Sequence, residues 1–531
     1  MVPDTIASLC SYEAERLMLG SNRSNYSYEG VANSLRPALR FYRNAKDRLP
    51  AGMMSLAWLL PSPKLAACID PLEATLRLGN GKPITISALK KDAIATCKKL
   101  LGQLKKGDQR KAIDRRWYWA AIAMLDRQSG MAGWCASKDG LKSIYAEGSD
   151  GETAANFIDH VDLFTQAIEG DDQIQLGKQP PDLAEVLAEL ALSGPGTCAL
   201  RSLMRVSQEP MTDEPEILTA ATEIAMGFRA MFNLPTSTSL VRRISVKGGH
   251  WRKVLRYSLE GNLQSLLDEQ IHLLSEAQSS VDETALERAR KISKALSGSL
   301  TLRTRNISVD EYKFGRASHS TKDFTMRGRF AMRFGNLKND GDAEPESADR
   351  VRTAFNSPFR PFVLASTSIG QEGLDFHSWC HRVVHWNLPA NPVDLEQREG
   401  RVHRYKGHAI RKNIAEKFGL KGLLNWNRHD APDPWSHLFR KAADARAEGT
   451  NDLVPYWVFD EGSFKIERKI PMLPFSKEVQ RLEALKSSLA LYRLVFGQPR
   501  QEELLGYLHE AMPNEKVEEF VKELAISLEP P

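Results

Sequence analysis

The sequence lacks the features of a secreted or membrane-spanning protein. Its 531 residues contain only six cysteines, and no two of them are arranged as Cys-x-x-Cys. This scarcity argues against a structural zinc site or a disulfide framework and predicts a reducing, cytoplasmic environment. No apolar run approaches the roughly 20 residues that a transmembrane helix needs, and the first residues show no basic segment followed by an apolar core. We therefore expect no membrane partner.

The charge balance is too even to identify a partner by itself. Lysine and arginine number 72 and aspartate and glutamate 67, which gives a net charge of +5, so any nucleic-acid contact must come from local clusters. In the segment 241–258, Arg252 and Lys253 lie beside Trp251. Such residues bind backbone phosphate and stack on bases; the alternative is a helix that buries Trp251 and leaves its charges in solvent. The basic segment 98–116 leaves the same two alternatives open.

Residues 22–300 are predicted to be mainly α-helical. The clearest stretch is "PDLAEVLAELALSGPG" (181–196), in which apolar residues recur every three or four positions and glycine and proline follow at the end. This spacing places one apolar stripe on one face of a helix. Segments 112–128 and 261–278 show the same pattern. Residues 333–352, rich in Asn, Asp, Gly and Pro, are predicted to be a loop.

The pattern changes in the last third of the chain. "RPFVLAST" (360–367) and "HRVVHWNLP" (381–389) are short apolar runs typical of buried strands, and a glycine-containing loop separates them. "NPVDLEQREGRVHRYKG" (391–407) is predicted to be a helix with Asn391 as its N-cap and Pro392 at its first position. Strand, loop, strand and helix in this order indicate an α/β unit with a parallel sheet, whose ligands bind at the carboxyl ends of the strands.

Two short motifs in this unit resemble motifs V and VI of superfamily-two helicases. "LASTSIGQEGLDF" (364–376) is similar to motif V, and "QREGRVHR" (397–404) fits the pattern QRxGRxxR of motif VI. Both motifs belong to the second RecA-like lobe of that superfamily. The wider segment 383–415 resembles the Swi/Snf-like branch of bacterial helicases, particularly those associated with phage defence. The matching positions are Thr367, Gly373 and Asp375 in the first motif and Gln397, Arg398, Gly400, Arg401 and Arg404 in the second.

The resemblance implies a fold class and domain boundaries. We expect an α/β, RecA-like C-terminal helicase lobe, built as a parallel sheet with flanking helices. It would carry a large, mainly α-helical insertion and a helical C-terminal extension. The expected segments are the start of the lobe after the strand of motif IV (1–21), the helical insertion (22–300), the rest of the lobe with motifs V and VI (301–418) and the extension (419–531).

The resemblance also assigns roles to the matching residues. Arg401 and Arg404 match the positions of arginine fingers, which stabilise the negative charge that grows on the γ-phosphoryl group of ATP, since a guanidinium is always charged and presents a planar fork. Thr367 matches a residue that holds nucleic-acid phosphate. Asp375 matches a residue at the nucleotide ribose or the lobe interface, and Gly400 would let the helix backbone pack closely beside the nucleotide. The residues expected at the nucleotide are Gly373, Asp375, Gln397, Arg398 and Gly400.

The chain lacks the other half of such an ATPase. The superfamily also needs a P-loop, GxxxxGK[ST], and an acidic DExH-type motif for magnesium. The two Gly-Lys pairs, at 81–82 and 177–178, are not followed by serine or threonine. We therefore expect ATP and Mg2+ to be held by a first RecA-like lobe from an upstream or separate polypeptide, with duplex DNA as the track and defence-system proteins as further partners. The alternative is a catalytically inactive nucleic-acid-binding or scaffold subunit.

Four residues that bind metals in other proteins lie close together between the two motifs. They are His377, Cys380, His381 and His385. Their spacing does not match a zinc knuckle, and the segment is needed for the predicted strand. No metal site is predicted.

Overall fold

The structure is a computed structural model that describes residues 39–44, 49–145, 151–170, 175–207, 213–246, 248–278, 283–302, 305–314, 319–328, 348–359, 361–365, 375–427, 429–459, 461–471, 478–494, 503–504, 506–507 and 511. The helices before the first strand are α1 (Met53–Leu59), α2 (Pro63–Cys68), α3 (Pro71–Gly79), α4 (Ile86–Gly102), α5 (Trp117–Leu125), α6 (Met131–Ala136), α7 (Gly151–Glu169), α8 (Leu183–Ser193), α9 (Pro195–Val206), α10 (Pro215–Phe232), α11 (Pro235–Arg242), α12 (His250–Glu260), α13 (Leu263–Gln278) and α14 (Ala285–Leu300). There follow β1 (Arg305–Phe314), β2 (His319–Gly328), α15 (Ala348–Phe355), β3 (Arg382–Val384), α16 (Pro392–Gly400), α17 (His408–Lys417), α18 (Gly419–Gly422), α19 (Pro434–Asp444), β4 (Glu467–Lys469) and α20 (Glu478–Leu494).

The described residues fall into two compact units. The first unit takes in those within Met1–Arg333, Asn339–Leu364 and Leu420–His437, and the second unit those within Ala365–Gly419 and Leu438–Pro531. The segment 348–364 packs with the first unit although it lies beyond the boundary expected at 301. The expected domain boundaries stay a prediction, and residues 1–21 lie outside the described part of the chain.

The first unit is built from helices around a continuous apolar core. The described residues from 39 to 302 are mostly helical, which confirms the prediction of a mainly helical region, and the three predicted segments appear as α5, α8 and α13. In α8 the apolar stripe is buried at Leu183, Leu187 and Leu190, and the helix ends at the extended Gly194. The core also holds buried aromatic rings, among them Trp58, Trp117, Trp134, Phe157, Phe164 and Phe228.

Length and hydropathy decide whether a helix could cross a membrane. In the part of the chain that the structure describes, no single helix is long and apolar enough to cross a membrane. The pair α8 and α9 meets the requirement only jointly, and the two helices are bent by 45°.

A long β-hairpin follows α14. β1 and β2 pair antiparallel over ten residues each, from Arg305 opposite Gly328 to Phe314 opposite His319. No strand was predicted over 305–328, since the predicted strands lay at 360–367 and 381–389. The predicted loop over 333–352 is wrong at its end, since α15 begins at Ala348; its earlier residues lie outside the described part of the chain.

The second unit contains a short parallel sheet. β3 and β4 pair in parallel, which confirms the predicted type of pairing. The predicted strands themselves were partly wrong: no strand forms over 361–365, and the strand predicted within 381–389 ends at Val384. That strand is also not buried, because Val384 is 56% exposed. Its partner, β4, comes from the region that was expected to be a separate C-terminal extension.

A buried ion cluster connects three helices of the first unit. Arg205 of α9 donates two hydrogen bonds to Asp70, the N-cap of α3, at 2.6 and 2.7 Å. Its other terminal nitrogen donates to Asp268 of α13. Burial alone would raise the pKa of Asp70, but attraction to Arg205 and Arg201 outweighs it and lowers the pKa to about 2. The cluster therefore holds ionised groups in the core that are stable there only as partners.

Arg205→Ala should destabilise the first unit by about 3–5 kcal/mol, because the two buried carboxylates would lose their shared cation. Urea unfolding of the purified chain measures the change. The control is Arg77→Ala, which removes a 2.8 Å ion pair to Asp92 from a side chain that is 60% exposed and should change stability little. Equal stability of the two variants would contradict a structural role for the cluster.

Candidate functional site

The helix that carries motif VI begins as predicted and ends early. Asn391 Oδ1 accepts a hydrogen bond from Val393 N at 2.9 Å, and Pro392 occupies the first helical position. The helix, α16, ends at Gly400, so the prediction of a helix to residue 407 is wrong for 401–407, which form turns. A cluster of buried leucines holds α16 against α20: Leu388, Leu395, Leu485 and Leu489.

The early end of α16 separates the three arginines of motif VI. Arg398 lies in the last turn of the helix, Arg401 is its C-cap, and Arg404 lies in the turns beyond. The three side chains therefore do not share one helical face, as a continuous helix would have required. Arg398 Nη1 donates to Asn387 O at 3.0 Å, a contact that ties the end of the helix to the segment after β3.

Backbone hydrogen bonds join motif V to motif VI. Phe376 N donates to Arg401 O at 2.9 Å, and His408 N donates to His377 O at 3.0 Å. The carbonyl of Arg401 is thus used by motif V rather than by a further turn of helix. This geometry fixes the backbone at both ends of the segment that carries Arg404.

A buried arginine that the sequence analysis missed strengthens the same junction. Arg411 of α17 is fully buried and donates to two carbonyls, Lys406 O at 2.7 Å and Ser378 O at 2.5 Å. Its guanidinium also lies 5.3 Å from the centre of the Trp379 ring. Because one carbonyl belongs to the motif V side and the other to the turns after motif VI, Arg411 bridges the two segments.

The junction brings two of the predicted site residues together. Arg404 Nε donates to Asp375 Oδ1 at 3.1 Å, and the two side chains are 45% and 49% exposed. They are far apart in sequence, and nothing in either motif predicted this contact. An ion pair this exposed contributes only about 0–1 kcal/mol, so another anion readily replaces Asp375 as the partner of Arg404.

Lys406 anchors the turns after α16. Its backbone has a φ of +48°, its N–H donates to Tyr456 O at 2.7 Å, and its side chain is buried. The ammonium lies 4.3 Å from the ring centre of Phe439 and within 6 Å of those of Tyr405 and Tyr456. Phe439 and Tyr456 are distant from Lys406 in sequence, so the local sequence contained no signal for this cage.

Glu399 joins α16 to the parallel sheet. Its Oε1 lies 3.0 Å from His385 Nε2, and Arg468 of β4 donates to both carboxylate oxygens at 2.5 and 2.6 Å. Burial alone would raise the pKa of Glu399, but hydrogen bonds and attraction to His385 and Arg468 outweigh it and lower the pKa to about 2. The carbonyl of Glu399 also accepts hydrogen bonds from Val402 N and His403 N. One residue therefore links the sheet, the helix and the first turn after the helix.

The remaining lobe residues predicted for the site are less well defined by contacts. Thr367 and Gly373 lie outside the described residues, and Gln397 is exposed on α16. A Cβ atom added at Gly400 would meet no described atom within 4 Å. The expected close packing at Gly400 therefore has no partner within the described part of this chain.

In the helical region, Arg252 is held by carboxylates rather than presented to solvent. The guanidinium lies 2.7 Å from Asp182, 3.3 Å from Glu189 and 3.6 Å from Glu185, and the side chain is only 13% exposed. These contacts favour the alternative of a packed helix, α12, although its charges are paired rather than solvated. Nucleic-acid contact by Arg252 and by the half-buried Lys253 stays a prediction.

The histidines near motif V are used for packing. His408 lies against Trp379 and His381, with ring centres 5.6 and 5.1 Å apart, and burial is the main cause that lowers its pKa to about 3. The ring is therefore neutral at physiological pH. Of the residues described, no three His, Cys, Asp or Glu side chains are grouped so as to hold a metal ion.

Glu399→Gln should destabilise the second unit at neutral pH and far less in acid. A carboxylate whose pKa falls from 4.5 to about 2 on folding contributes about 3 kcal/mol above pH 4.5, and this contribution is lost as the pH falls toward 2. Amide-exchange protection over residues 375–411, compared near neutral pH and in acid, measures the effect. The control is Glu467→Gln, a half-exposed carboxylate of β4 that pairs with Arg382 at 3.0 Å; because solvent screens this pair, its loss should change protection little. A pH-independent loss of protection would exclude this role for Glu399.

Comparison with known proteins identifies one part of the chain. Residues 319–406 match the family described as helicase conserved C-terminal domain. No curated protein and no solved structure matches the chain. The matched segment runs from β2 through both motifs and confirms the prediction of such a domain, whereas the Swi/Snf-like and phage-defence assignments stay predictions. Residues 319–406 are therefore similar to helicase C-terminal domains.

Proposed function

We propose that the chain supplies the second lobe of an ATP-dependent DNA helicase or translocase, with Arg401 and Arg404 as arginine fingers. The observation that carries this proposal is the junction of motifs V and VI, where Arg404 lies 3.1 Å from Asp375 and the backbones of the two segments are hydrogen-bonded. The family match over 319–406 supports a helicase-type function for the same segment.

The geometry suits a ligand with several negative charges. ATP supplies the phosphoryl group, and transfer requires positioned cations where negative charge grows. Arg404 already has its guanidinium beside an anion, the carboxylate of Asp375, in a position that is 45% exposed. A triphosphate that replaces Asp375 as the partner forfeits only a weak surface ion pair. In this proposal Asp375 then accepts a hydrogen bond from a ribose hydroxyl.

The described residues fit the part of such a site that supplies arginines, but not the part that binds the metal ion. The sequence contains no P-loop, and the described side chains include no cluster suited to Mg2+. The P-loop and the metal ligands therefore come, in this proposal, from a first lobe outside these residues. Duplex DNA as the track, a Swi/Snf-like mode of action and a role in phage defence with partner proteins belong to the same proposal and rest on the wider resemblance over 383–415.

The isolated chain should show negligible ATPase activity with or without DNA. When a P-loop lobe encoded beside it is supplied, Arg401→Ala and Arg404→Ala should each reduce turnover by about a thousandfold or more, as removal of arginine fingers does. Binding of a fluorescent ATP analogue should largely survive, because the first lobe holds the phosphates. Steady-state turnover and nucleotide binding by the reconstituted pair measure the two effects.

The matched control for this experiment is Arg382→Ala. Arg382 is also an exposed arginine of the second unit and also pairs with a carboxylate, Glu467, at 3.0 Å, but it lies outside both motifs. Turnover should be unchanged in this variant. Robust ATPase activity of the isolated chain would refute the division between two lobes. A reconstituted pair without activity would favour the catalytically inactive scaffold.

Gly400→Ala should leave the chain as stable as before while impairing the assembled ATPase. No described atom lies near a Cβ at this helical position, so alanine should be neutral or stabilise by about 0.5–1 kcal/mol. If the first lobe packs against this backbone, a displacement of the fingers should cost roughly tenfold or more in turnover. Gly102→Ala, also at the last residue of a helix with open space around it, is the control. Equal turnover of both variants would remove Gly400 from the lobe contact.

A further inference from the structure

The two basic segments that the sequence singled out converge on one cleft of the first unit. The segment 98–116 contributes Arg115 and Arg116, and the segment 241–258 contributes Trp251 and Arg252. The cleft has a volume of about 460 Å³ and is also lined by Tyr118, Trp119 and Asp182. Neither segment alone predicted the other as its neighbour.

One wall of the cleft is aromatic and fixed in position. The half-buried indole of Trp251 lies with its ring centre 6.0 Å from that of Tyr118, at an angle of 53°. Gly248 has a φ of +135°, and a Cβ atom at Gly249 would lie 2.9 Å from Trp251 Nε1. Gly249 therefore brings the backbone against one edge of the indole, and the ring is held in place while it lines the cleft.

The charges in the cleft are not equivalent. Arg252 is committed to three carboxylates, as described above, and Arg116 donates to both oxygens of Asp114, with its Nη2 2.8 Å from Oδ2. Arg115 is exposed. Its carbonyl accepts a hydrogen bond from Tyr118 N at 3.2 Å, but among the described residues no hydrogen bond or ion pair is found for its guanidinium. It is the cation of the cleft that is available to an anion from outside.

Asp182 supplies an acceptor in the same cleft. It accepts hydrogen bonds from Tyr118 Oη and Arg252 Nη1, each at 2.7 Å, and is 32% exposed. Burial alone would raise the pKa of Asp182, but these hydrogen bonds and the charge of Arg252 outweigh it and lower the pKa. An ionised carboxylate repels an anion that has no donor and favours a ligand with an N–H donor.

We propose that this cleft binds an unpaired nucleotide of single-stranded nucleic acid. The base stacks on Trp251, its N–H groups donate to Asp182, and the flanking phosphate lies at Arg115. A purely apolar ligand would use neither the acceptor Asp182 nor the cation Arg115, whereas a nucleotide combines a planar ring, a donor and an anion. Lys105 and Lys106, earlier in the same basic segment, are exposed as well. The inference rests on the proposed function and adds to it a site for an unpaired strand.

The test is fluorescence anisotropy of a labelled single-stranded oligodeoxynucleotide titrated with the full chain. Trp251→Leu should weaken binding roughly tenfold without changing its salt dependence, because it removes stacking. Arg115→Ala should weaken binding and lower the slope of log affinity against log salt by about 0.7, because one phosphate contact is lost. Trp251→Phe should restore much of the affinity.

The control is Arg77→Ala, an exposed arginine of the same unit outside the cleft, which should bind like the parent chain. Arg115 is exposed, so its variant should melt at the parent temperature and report on binding alone. Unchanged affinity in both Arg115→Ala and Trp251→Leu would overturn the proposal, as would equal affinity for duplex and single strand.

Each of the two proposals can be refuted independently of the other. Loss of turnover in Arg404→Ala with normal anisotropy in the cleft variants would support the lobe assignment and overturn the cleft. Cleft-dependent strand binding by a chain that no first lobe activates would support the cleft and count against the motor.

Discussion

The arrangement of the second unit depends on the carboxylate of Glu399 and its two partners, His385 and Arg468. His385 lies at the end of β3, Arg468 lies in β4, and both contact one carboxylate on the last turn of α16. Since the sheet has only three residues in each of these strands, backbone pairing alone gives it little stability. The carboxylate adds charge-assisted hydrogen bonds that hold the last turn of α16 to the sheet. The proposed fingers follow directly after this turn, so their position relative to the sheet depends on this contact.

The end of α16 shows why local pattern and tertiary contact give different answers. Residues 391–407 carry an N-cap, a proline at the first position and spaced charges, and each of these favours a helix. Beyond Gly400, however, Arg401 O accepts from Phe376 N, and Lys406 enters the left-handed region to reach Tyr456. These partners outweigh the helix propensity of the segment. The start of the helix was predictable because its signals are local, and its end was not because its partners are distant.

The same distinction accounts for the rest of the fold. The buried stripe of α8 was predictable from its spacing, as was the presence of a parallel pair of strands. The identity of β4 was not, because "ERK" is too short and too polar to be recognised as a strand. Arg411 was missed for a related reason: a single arginine in a polar segment gives no sign that the fold will bury it. Within the candidate site, motif spacing predicted the residues, and only the structure paired Asp375 with Arg404.

Arginines of this chain differ in function by their partners more than by their sequence context. Arg205, Arg252 and Arg411 have fixed acceptors and little exposure, so removing any of them takes hydrogen bonds from wholly or partly buried acceptors, a structural cost. Among the described residues, the guanidinium of Arg404 has a weak, exposed partner, and that of Arg115 has none. A guanidinium kept in solvent costs the fold little and stays available for an external anion. Basic segments such as 241–258 therefore identify regions in which to look for ligands, and the acceptors around each guanidinium decide which arginine can bind one.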